Sequence, residues 1–276
     1  MKKLFALILT MAMIFSLGAG ALAEDVNSLE YVLEKGTLIM GLDVGFAPMG
    51  FYNEDGVIIG YDVDLAYEVC DRLGVELVLQ PIAWAAKELE LNDMNIDCIW
   101  NGLSITPDRL ASMTITPPYL YNALVFVAID KSIVVKEDLA GKSVAVQSGS
   151  FALDVLNGDA DVGEDLAGFT ASLSEVLSYD DYMMALMDLK NGNVDAVLVD
   201  IVVADFYLAE MDEEDVCFYL EQHLADDYFG IGFRKADVKL CDAVFGALQE
   251  MAADGVLAEI TTHWFGDNVS LIEAAQ

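Results

Sequence analysis

Two short segments of this chain share one pattern, and the distance between them constrains the fold more than any other feature. Each segment reads as the end of a helix, a turn, an aspartate and then an apolar strand. The copies begin at Leu91 and Leu189, which are 98 residues apart, the size of one modest domain. A match this short can arise by chance, but the repeat predicts two similar halves that each contain a βαβ unit. The two sequences are LNDMNIDCIW and LKNGNVDAVL.

Short apolar runs alternate with segments of helical periodicity along most of the chain. One helix is predicted from Asp62 to Leu73 and ends at Gly74, and another is predicted to begin at Ser178, which resembles a capping box with Asp181. The alternation predicts an α/β protein. The predicted strands run through residues 38–42, 75–79, 96–100, 124–129, 143–147 and 194–199.

The first 23 residues have the pattern of a secretory signal peptide. Lys2 and Lys3 precede an apolar run from Leu4 to Leu17, and small residues follow as far as Ala23. A membrane anchor is the alternative, but the run is shorter than the roughly 20 residues that span a bilayer. We therefore expect cleavage after Ala23 and export to the periplasm or to the cell surface. No cysteine follows the expected cleavage point, so nothing predicts a lipid anchor.

The chain is strongly acidic. It has 13 basic and 47 acidic residues, a formal net charge of −34, and loss of two lysines with the signal peptide lowers this charge to −36. Such a chain is a poor partner for nucleic acid and for anionic lipid. The charge is spread along the sequence, which favours solubility as its main role, although it would also attract cationic ligands.

Chemistry that depends on a metal or on a catalytic nucleophile has little support in the sequence. The four cysteines are widely spaced, without a C-x-x-C pair, and only two histidines are present, so we expect no metal site and no cofactor. Cys98 lies in a strand-like run and Cys70 in a helical pattern, where a buried free thiol is the usual explanation. No phosphate-binding loop and no pairing of a nucleophile with a base are present.

Several polar loops follow predicted strands, at the edge of a parallel sheet where ligands usually bind. Arg109 follows one strand end through a Ser/Thr/Pro turn, where its guanidinium could hold a carboxylate with two parallel hydrogen bonds. Taken alone, such an arginine is more often a structural ion-pair partner, and Asp200 at another strand end is more often a helix cap. Together they supply the opposite charges that the carboxylate and the ammonium of an amino acid require. The pair favours a zwitterionic ligand.

Two aromatic residues lie near the same strand ends. Phe46 and Trp84 could hold a ligand side chain between their rings, but each could equally be part of the core. Asp43 could contact a polar or cationic group of that side chain, or it could accept hydrogen bonds from loop amides instead. The sequence leaves these alternatives open.

Six ordered motifs run through the chain after the predicted signal peptide. They are GYDVDL at residues 60–65, the run 97–109 that ends in SITPDR, PY at 118–119, NVDA at 193–196 continuing to Asp200, YFGIGFRK at 228–235 and WFG at 264–266. Together they are far more specific than any one of them. They resemble those of the extracellular solute-binding proteins of family 3, which bind polar amino acids for ABC importers.

The resemblance implies a type II periplasmic-binding-protein fold, also called a venus flytrap. In this α/β fold two lobes, each a sheet flanked by helices, are joined by two hinge crossings and close on a ligand between them. Lobe 1 would comprise residues 24–122 and 228–276, and lobe 2 would comprise residues 123–227. The crossings would lie near residues 121–124 and 226–229.

The resemblance also implies roles for the residues at the strand ends. Arg109 would bind the ligand carboxylate, with help from the backbone amides of Ser104 and Phe151. Phe151 departs from the family, which often has a small hydroxyl residue there, and its ring would narrow the pocket. Asp200 and the Gly102 carbonyl would bind the ligand ammonium. Phe46 and Trp84 would flank the ligand side chain, and Asn101 and Asp43 would determine specificity.

The expected function is therefore binding and not catalysis. A monomer would capture a free amino acid, glutamine-like or basic, and would present it to the permease subunits of an ABC importer. A planar side chain could stack between aromatic rings while Asp43 accepts its hydrogen bonds. The alternative is an enzyme on the same fold, such as a cyclohexadienyl (prephenate/arogenate) dehydratase. That enzyme would need a general acid, which at the strand ends only Asp43 and Asp200 could supply.

Overall fold

The structure is a computed structural model of the chain. The predicted signal peptide, residues 1–23, lies outside the residues that it describes, so cleavage after Ala23 stays a prediction. Within the described part, no helix is both long enough and apolar enough to cross a membrane. The described residues are 28–160, 162–163, 166–210, 217–220 and 222–275.

Helices and strands alternate along the chain, as the sequence periodicity predicts. The helices are α1 (Ser28–Lys35), α2 (Tyr61–Leu73), α3 (Lys87–Asn92), α4 (Pro107–Ser112), α5 (Phe151–Asn157), α6 (Ala167–Ser172), α7 (Tyr182–Lys190), α8 (Ile201–Glu210), α9 (Val238–Asp254) and α10 (Val256–Phe265), with short 3-10 helices at Trp84–Ala86 and Lys136–Leu139. The strands are β1 (Thr37–Leu42), β2 (Gly45–Phe46), β3 (Gly50–Tyr52), β4 (Ile58–Ile59), β5 (Glu76–Pro81), β6 (Cys98–Ser104), β7 (Met113–Ile115), β8 (Leu120–Ala128), β9 (Ser143–Gln147), β10 (Glu175–Tyr179), β11 (Ala196–Asp200), β12 (Phe218–Tyr219) and β13 (Ala225–Arg234).

Most elements predicted from the sequence are confirmed. Every predicted strand overlaps one of β1, β5, β6, β8, β9 and β11. The helix predicted from Asp62 to Leu73 is α2, and Gly74 ends it in the left-handed conformation with φ +71°. The predicted helix start at Ser178 is wrong, because Ser178 lies in β10 and pairs with β9. The cap of α7 is Asp181, whose Oδ1 accepts a hydrogen bond from the Met184 amide at 2.8 Å.

One ten-stranded sheet runs through the protein in the order β10-β9-β11-β8-β13-β6-β1-β5, with β12 added at β8 and β7 at β13. Strands β9, β10 and β11 are parallel at one end, and β1, β5 and β6 are parallel at the other. The antiparallel strands β8 and β13 pair through residues 120–124 and 225–229 and join the two groups. These paired segments include both predicted hinge crossings. A smaller sheet has the order β2-β3-β4.

Buried apolar clusters cover the sheet in both groups of strands. Helix α9 packs against α2 and α10 over the β1 end, where Leu38, Val69 and Leu248 are buried in one cluster. In the other group, Val146 of β9 and Val155 of α5 belong to a second cluster. Burying a side chain of this size contributes roughly 1.5–3 kcal/mol. The first cluster also contains Ala145 of β9 and Val197 of β11, so it continues from one parallel group into the other.

The four cysteines are buried in the structure, and Cys70, Cys98 and Cys241 are free thiols. Cys98 lies in β6 and Cys70 in α2, the environments that the sequence predicted for them. Burial raises the pKa of the Cys70 thiol to about 12, so this group stays protonated at neutral pH. These thiols are part of the core.

Candidate functional site

Asp43 joins the ends of two strands that belong to opposite groups of the sheet. Its Oδ2 accepts a hydrogen bond at 2.5 Å from Nε2 of Gln147, the last residue of β9. Its Oδ1 accepts from the Gly45 amide at 2.9 Å, and its own amide donates to Oδ1 of Asn101 at 3.0 Å. Burial raises the pKa of the Asp43 carboxyl. Asp43 and Asn101 therefore lie together, and Asp43 accepts from a loop amide as one sequence alternative proposed.

Arg109 is a buried cation in the first turn of α4. Thr106 caps this helix, and its Oγ1 accepts a hydrogen bond from the Arg109 amide at 3.2 Å. Nη1 donates to the Ser104 carbonyl at 2.9 Å, and Nη2 lies 3.9 Å from Oδ2 of Asp154. Burial lowers the pKa of Arg109, but a guanidinium stays charged at neutral pH. Because a guanidinium has five N–H donors, the group can hold a carboxylate in addition to these partners.

A cleft of about 970 Å³ lies beside Arg109. Phe151 lines the same cleft and is the first residue of α5, where backbone amides have no acceptor inside the helix. Ser150 caps α5, and its Oγ accepts from the Leu153 amide at 3.2 Å. The start of α5 thus faces the cleft that Arg109 lines. This arrangement is compatible with the role in carboxylate binding that the resemblance implies for Phe151.

Lys87 is a second buried cation at this cleft. Its Nζ donates to the Gly149 carbonyl at 2.8 Å and to the Trp84 carbonyl at 3.4 Å, and it lies 4.9 Å from the centre of the Trp84 ring system. Burial, together with repulsion from Arg109, lowers the pKa of Lys87 to about 7. Gly149 follows β9 and Lys87 follows β5, so this hydrogen bond links the two groups of strands.

Two buried carboxylates share one amide where the hinge strands pair. Asn122 of β8 lies directly opposite Asp227 of β13. Nδ2 of Asn122 donates to Oδ1 of Asp200 at 2.6 Å and to Oδ2 of Asp227 at 3.0 Å. Burial and then repulsion from Asp227 raise the pKa of Asp200 to about 7, and burial also raises the pKa of Asp227. A bound cation would stabilise the ionised form of both groups.

Phe46 packs against the backbone of Gly102. The Phe46 ring centre lies 6.0 Å from that of Tyr182 and 6.4 Å from that of Phe229. Gly102 has φ +61°, and a Cβ atom there would lie 2.5 Å from Cε1 of Phe46. Glycine is therefore required at this position, both for its conformation and for the close approach of the ring.

Trp84 lies in a buried apolar cluster and is not among the residues that line the cleft. The side chain is only 6 % exposed. This is the core arrangement that the sequence left open as an alternative, and Trp84 is linked to the cleft through Lys87. Its neighbours in the cluster are Leu91, Ile96, Ile99, Leu103 and Met113.

Asp62 fixes the position of Gly102 from within the core. Its Oδ2 accepts hydrogen bonds from the Gly102 amide at 2.9 Å and from the Tyr119 hydroxyl at 2.8 Å. Burial raises the pKa of the Asp62 carboxyl to about 7. Asp62 is thus a positioning residue, and it explains why the GYDVDL motif has an acid two residues after Gly60.

We expect Asp62→Asn to change how stability depends on pH. The pKa of Asp62 is about 7 in the folded protein and 3.8 in a free side chain, so the folded state binds more protons between these values. The free energy of unfolding of the wild type should therefore fall as pH rises from about 4 to about 7, by up to roughly 1.4 kcal/mol per pH unit from this group. Asparagine keeps an acceptor but cannot ionise, so the variant should lack this contribution.

Urea unfolding at about pH 5, 6 and 7 measures the difference between the two proteins. Asp71→Asn, which changes an exposed acid on the same helix, is the matched control. Parallel pH profiles for the wild type and Asp62→Asn would contradict the assignment.

Sequence reasoning missed four residues that the structure brings to this site. Lys87 carries no signal of burial in the sequence, because a lysine at the start of a helix is usually exposed. Asn122 and Asp227 lie within hinge strands and not after strand ends, and Tyr182 lies just inside α7. The single available signal was the acid Asp227 within a run of apolar and aromatic residues, where an unpaired charge is costly.

Comparison with known proteins shows the same family as the motifs. The sequence profile of the bacterial extracellular solute-binding proteins, family 3, matches residues 38–267. The L-cystine-binding protein TcyJ of Escherichia coli (strain K12) is 28% identical over 266 residues, which cover 95% of this chain and 95% of that protein. The ABC transporter arginine-binding protein 1 of Escherichia coli (strain K12) is 27% identical over 269 residues, covering 96% of this chain and 99% of that protein.

A solved structure has a similar fold over nearly the whole described chain. It is an ABC uptake transporter substrate-binding protein from Streptococcus pneumoniae with bound histidine, with a TM-score of 0.81 and 30% identity. The match covers 89% of this chain and 99% of that one. The predicted type II periplasmic-binding-protein fold is thus confirmed. With the family profile matching residues 38–267, this chain belongs to the bacterial extracellular solute-binding proteins, family 3.

Proposed function

We propose that this protein is the substrate-binding component of an ABC importer and that it captures a free amino acid in the cleft between its two lobes. The observation that carries the proposal is the burial of one strong cation and one acid in the same site. Arg109 and Asp200 are each 5 % exposed, and each influences the pKa of the other. A zwitterion supplies the complementary carboxylate and ammonium, which offsets the cost of burying these charges.

In this proposal the first lobe comprises residues 24–122 and 228–276, and the second lobe comprises residues 123–227. Lys87 and Asp43 of the first lobe form hydrogen bonds with Gly149 and Gln147 of the second. These bonds support a closed arrangement in which the cleft surrounds its ligand. Ligand binding would stabilise this state over an open one, and the permease would distinguish the two surfaces.

The ligand contacts in this proposal are based on those that the family resemblance implies. Arg109 with the amides of Ser104 and Phe151 would hold the carboxylate, and Asp200 with the Gly102 carbonyl would hold the ammonium. Phe46 would pack against the ligand side chain, whereas Trp84 would act through Lys87. Asn101 and Asp43 would set specificity beside Gln147 of the second lobe, the role that the resemblance implies for them.

We propose a polar side chain for the ligand, either glutamine-like or basic. A chain with a net charge of −34 attracts cations, and Asp43 offers a carboxylate near Phe46. The related proteins are consistent with this class, because one is named for arginine and a solved one contains histidine. TcyJ is named for cystine, which makes cystine a further candidate to test.

A thermal-shift screen of the protein from Glu24 onward tests the proposal. A ligand that binds only the folded state stabilises that state and raises the melting temperature. At a ligand concentration of a hundred times Kd, the stabilisation is about 2.7 kcal/mol. We expect a clear rise with one or a few of the twenty amino acids and cystine. No rise with any of them would contradict the proposal.

We expect Lys87→Met to weaken ligand binding without removing it. The substitution deletes the hydrogen bond from Nζ to the Gly149 carbonyl, which joins the lobes in the closed state. A hydrogen bond from a charged donor contributes about 1.5–3 kcal/mol, so affinity should fall by roughly tenfold or more, mainly through faster dissociation. Stopped-flow measurement of ligand release checks this, with Lys142→Met as a control in which a surface lysine is removed. An unchanged release rate would contradict the role.

In this proposal the protein is exported and acts as a monomer. The signal peptide would be cleaved after Ala23, and the protein would then act in the periplasm or at the cell surface beside its permease. N-terminal sequencing of the exported protein should read from Glu24. Sedimentation should give the mass of one chain, with and without ligand.

One observation favours a second candidate, an enzyme such as a cyclohexadienyl dehydratase. The pKa of Asp200 is raised to about 7, and a carboxyl that holds its proton near neutral pH can act as a general acid. The binding proposal explains the same raised pKa without a catalytic role, because a ligand ammonium would stabilise the ionised form of Asp200. Incubation with prephenate and arogenate separates the two, and turnover of either compound would favour the enzyme.

A further inference from the structure

We infer that β8 and β13 carry part of the amine subsite: Oδ1 of Asn122 and the Tyr182 hydroxyl accept hydrogen bonds from the ligand ammonium alongside Asp200, and Asp227 supplies a second negative charge beside it. The inference rests on the proposed function and deepens it, because it names residues for which the family resemblance gave no role. It also places the amine of the ligand against the strands about which the lobes would move.

The geometry begins with a cross-strand pair. Asn122 and Asp227 face each other in the β8–β13 ladder, and Asp200 pairs with Leu124, two residues further along β8. Nδ2 of Asn122 lies within 3.0 Å of a carboxylate oxygen of both acids. The three side chains are 0 %, 3 % and 5 % exposed for Asn122, Asp227 and Asp200. They form one buried polar group at the junction of the hinge.

Oδ1 of Asn122, beside this group, is a buried polar atom with no hydrogen-bond partner among the described residues. The Tyr182 hydroxyl lies within hydrogen-bonding reach of Asp200 and Ser150, and the side chains of Asn122 and Tyr182 are both 0 % exposed. Burial, and then the charge of Asp200, raise the pKa of Tyr182, so this hydroxyl stays protonated. A buried acceptor without a partner costs about 1–3 kcal/mol, and a ligand donor that reaches Oδ1 of Asn122 would remove this cost.

An ammonium fits the group better than a neutral donor. It has three N–H donors, and the acceptors here are the carboxylate of Asp200, Oδ1 of Asn122 and the Tyr182 hydroxyl. Asp227 adds a second negative charge next to Asp200. The charged groups that face Asp200 are Asp227 from β13 and Arg109 from α4, with Tyr182 from α7 as the remaining titratable group. In the proposed complex the ligand carboxylate binds Arg109, so the ligand ammonium is the cation that faces the two buried acids.

This arrangement links binding to pH. Without ligand, burial and then repulsion from Asp227 raise the pKa of Asp200 to about 7, and burial raises the pKa of Asp227. Binding of an ammonium favours the ionised acids, so a proton held by the pair must leave when the ligand enters at or below about pH 7. Affinity should therefore fall as pH falls from about 8 to about 6.

The test is calorimetry with L-arginine, L-histidine and L-glutamine at about pH 8 and about pH 6. We expect Asp227→Asn to lower the affinity at pH 8 by roughly tenfold or more, because one of two anions beside the ammonium is lost. At pH 6 the loss should be smaller, because Asp200 then ionises more readily and less proton release is needed. The pH dependence of binding should thus flatten, which a merely structural role would not produce.

Two further variants complete the experiment. Asp71→Asn removes an exposed acid of α2 that does not line the cleft, and it should bind like the wild type. Tyr182→Phe deletes only the hydroxyl and should lower affinity by roughly fivefold to tenfold, whether or not Asp227→Asn folds well.

The outcomes separate the inference from the function on which it rests. If the wild type binds a probe while Asp227→Asn and Tyr182→Phe keep its affinity and its pH dependence, the inference is overturned and the proposed function stands. If the wild type binds none of the three amino acids, both are overturned for this ligand class.

Discussion

Replacing Arg109 with methionine should abolish amino-acid binding and leave the protein folded. Methionine keeps much of the volume of the side chain but removes the charge that would hold the ligand carboxylate. Truncating one partner of a buried, hydrogen-bonded charge pair costs about 2–5 kcal/mol, which corresponds to a loss of affinity of roughly thirtyfold to several thousandfold. Calorimetry with the best amino acid from the screen measures the loss.

The matched control is Arg72→Met. Arg72 forms ion pairs with Glu68 and Asp254 on the outside of the protein, so its loss should leave affinity unchanged. The melting temperature of Arg109→Met without ligand should fall only modestly, because the ion pair to Asp154 is long at 3.9 Å and the lost hydrogen bond to the Ser104 carbonyl contributes about 1.5–3 kcal/mol. If Arg109→Met binds with an affinity within a few-fold of the wild type, then Arg109 does not bind the ligand carboxylate.

Replacing Gly60 with alanine should lower the free energy of unfolding strongly, although it adds only one methyl group. Gly60 precedes α2 with φ +149°, a conformation that is essentially restricted to glycine. A Cβ atom there would clash with the Met49 carbonyl oxygen and lie 2.6 Å from the Met49 carbonyl carbon. That carbonyl cannot easily move, because it accepts the Asp62 amide at 3.0 Å. Strain and overpacking together should cost about 3 kcal/mol or more.

The control for Gly60→Ala is Gly56→Ala. Gly56 also has positive φ, at +74°, but nothing lies within 4 Å of a Cβ atom built there. Its replacement should cost only about 1 kcal/mol, the ordinary penalty for a left-handed residue. Urea unfolding of both variants isolates the effect of the clash. Equal losses for the two would show that the close approach of Met49 does not matter.

The sequence predicted the fold well because the fold depends on local patterns. Apolar runs at strand length marked six strands of the large sheet, and the repeat at Leu91 and Leu189 predicted two similar halves. The start of α7 was predicted too early, since Ser178 and Asp181 both suit a helix cap. Only the pairing of β10 with β9 excludes Ser178 from that role.

The sequence identified some of the residues that the structure brings together and missed others, for a physical reason. Residues that follow strand ends, such as Arg109 and Asp200, could be identified because a parallel sheet gathers those ends at one edge. Asn122 and Asp227 could not, because their meeting depends on the antiparallel pairing of strands about a hundred residues apart in sequence. Lys87 is similar, since its burial depends on Gly149 from another part of the chain.

Burial also decides the electrostatics, which sequence alone does not contain. Asp62 and Asp200 are ordinary aspartates in the sequence, yet in the structure the pKa of each is raised to about 7. Oδ2 of Asp62 accepts hydrogen bonds from the Tyr119 hydroxyl and the Gly102 amide, whereas Asp200 lies beside a second acid. The first arrangement fixes the backbone of the site, and the second suits a cationic ligand group.

The central claim is that Arg109 and Asp200 recognise the two charged groups of one amino acid. Calorimetry with the best amino acid and with its decarboxylated and deaminated analogues tests this claim most directly. We predict that each analogue binds at least a hundredfold more weakly than the intact amino acid, since each leaves one buried charge without its partner. If either analogue binds as tightly as the amino acid, the site does not recognise a zwitterion and the account is contradicted.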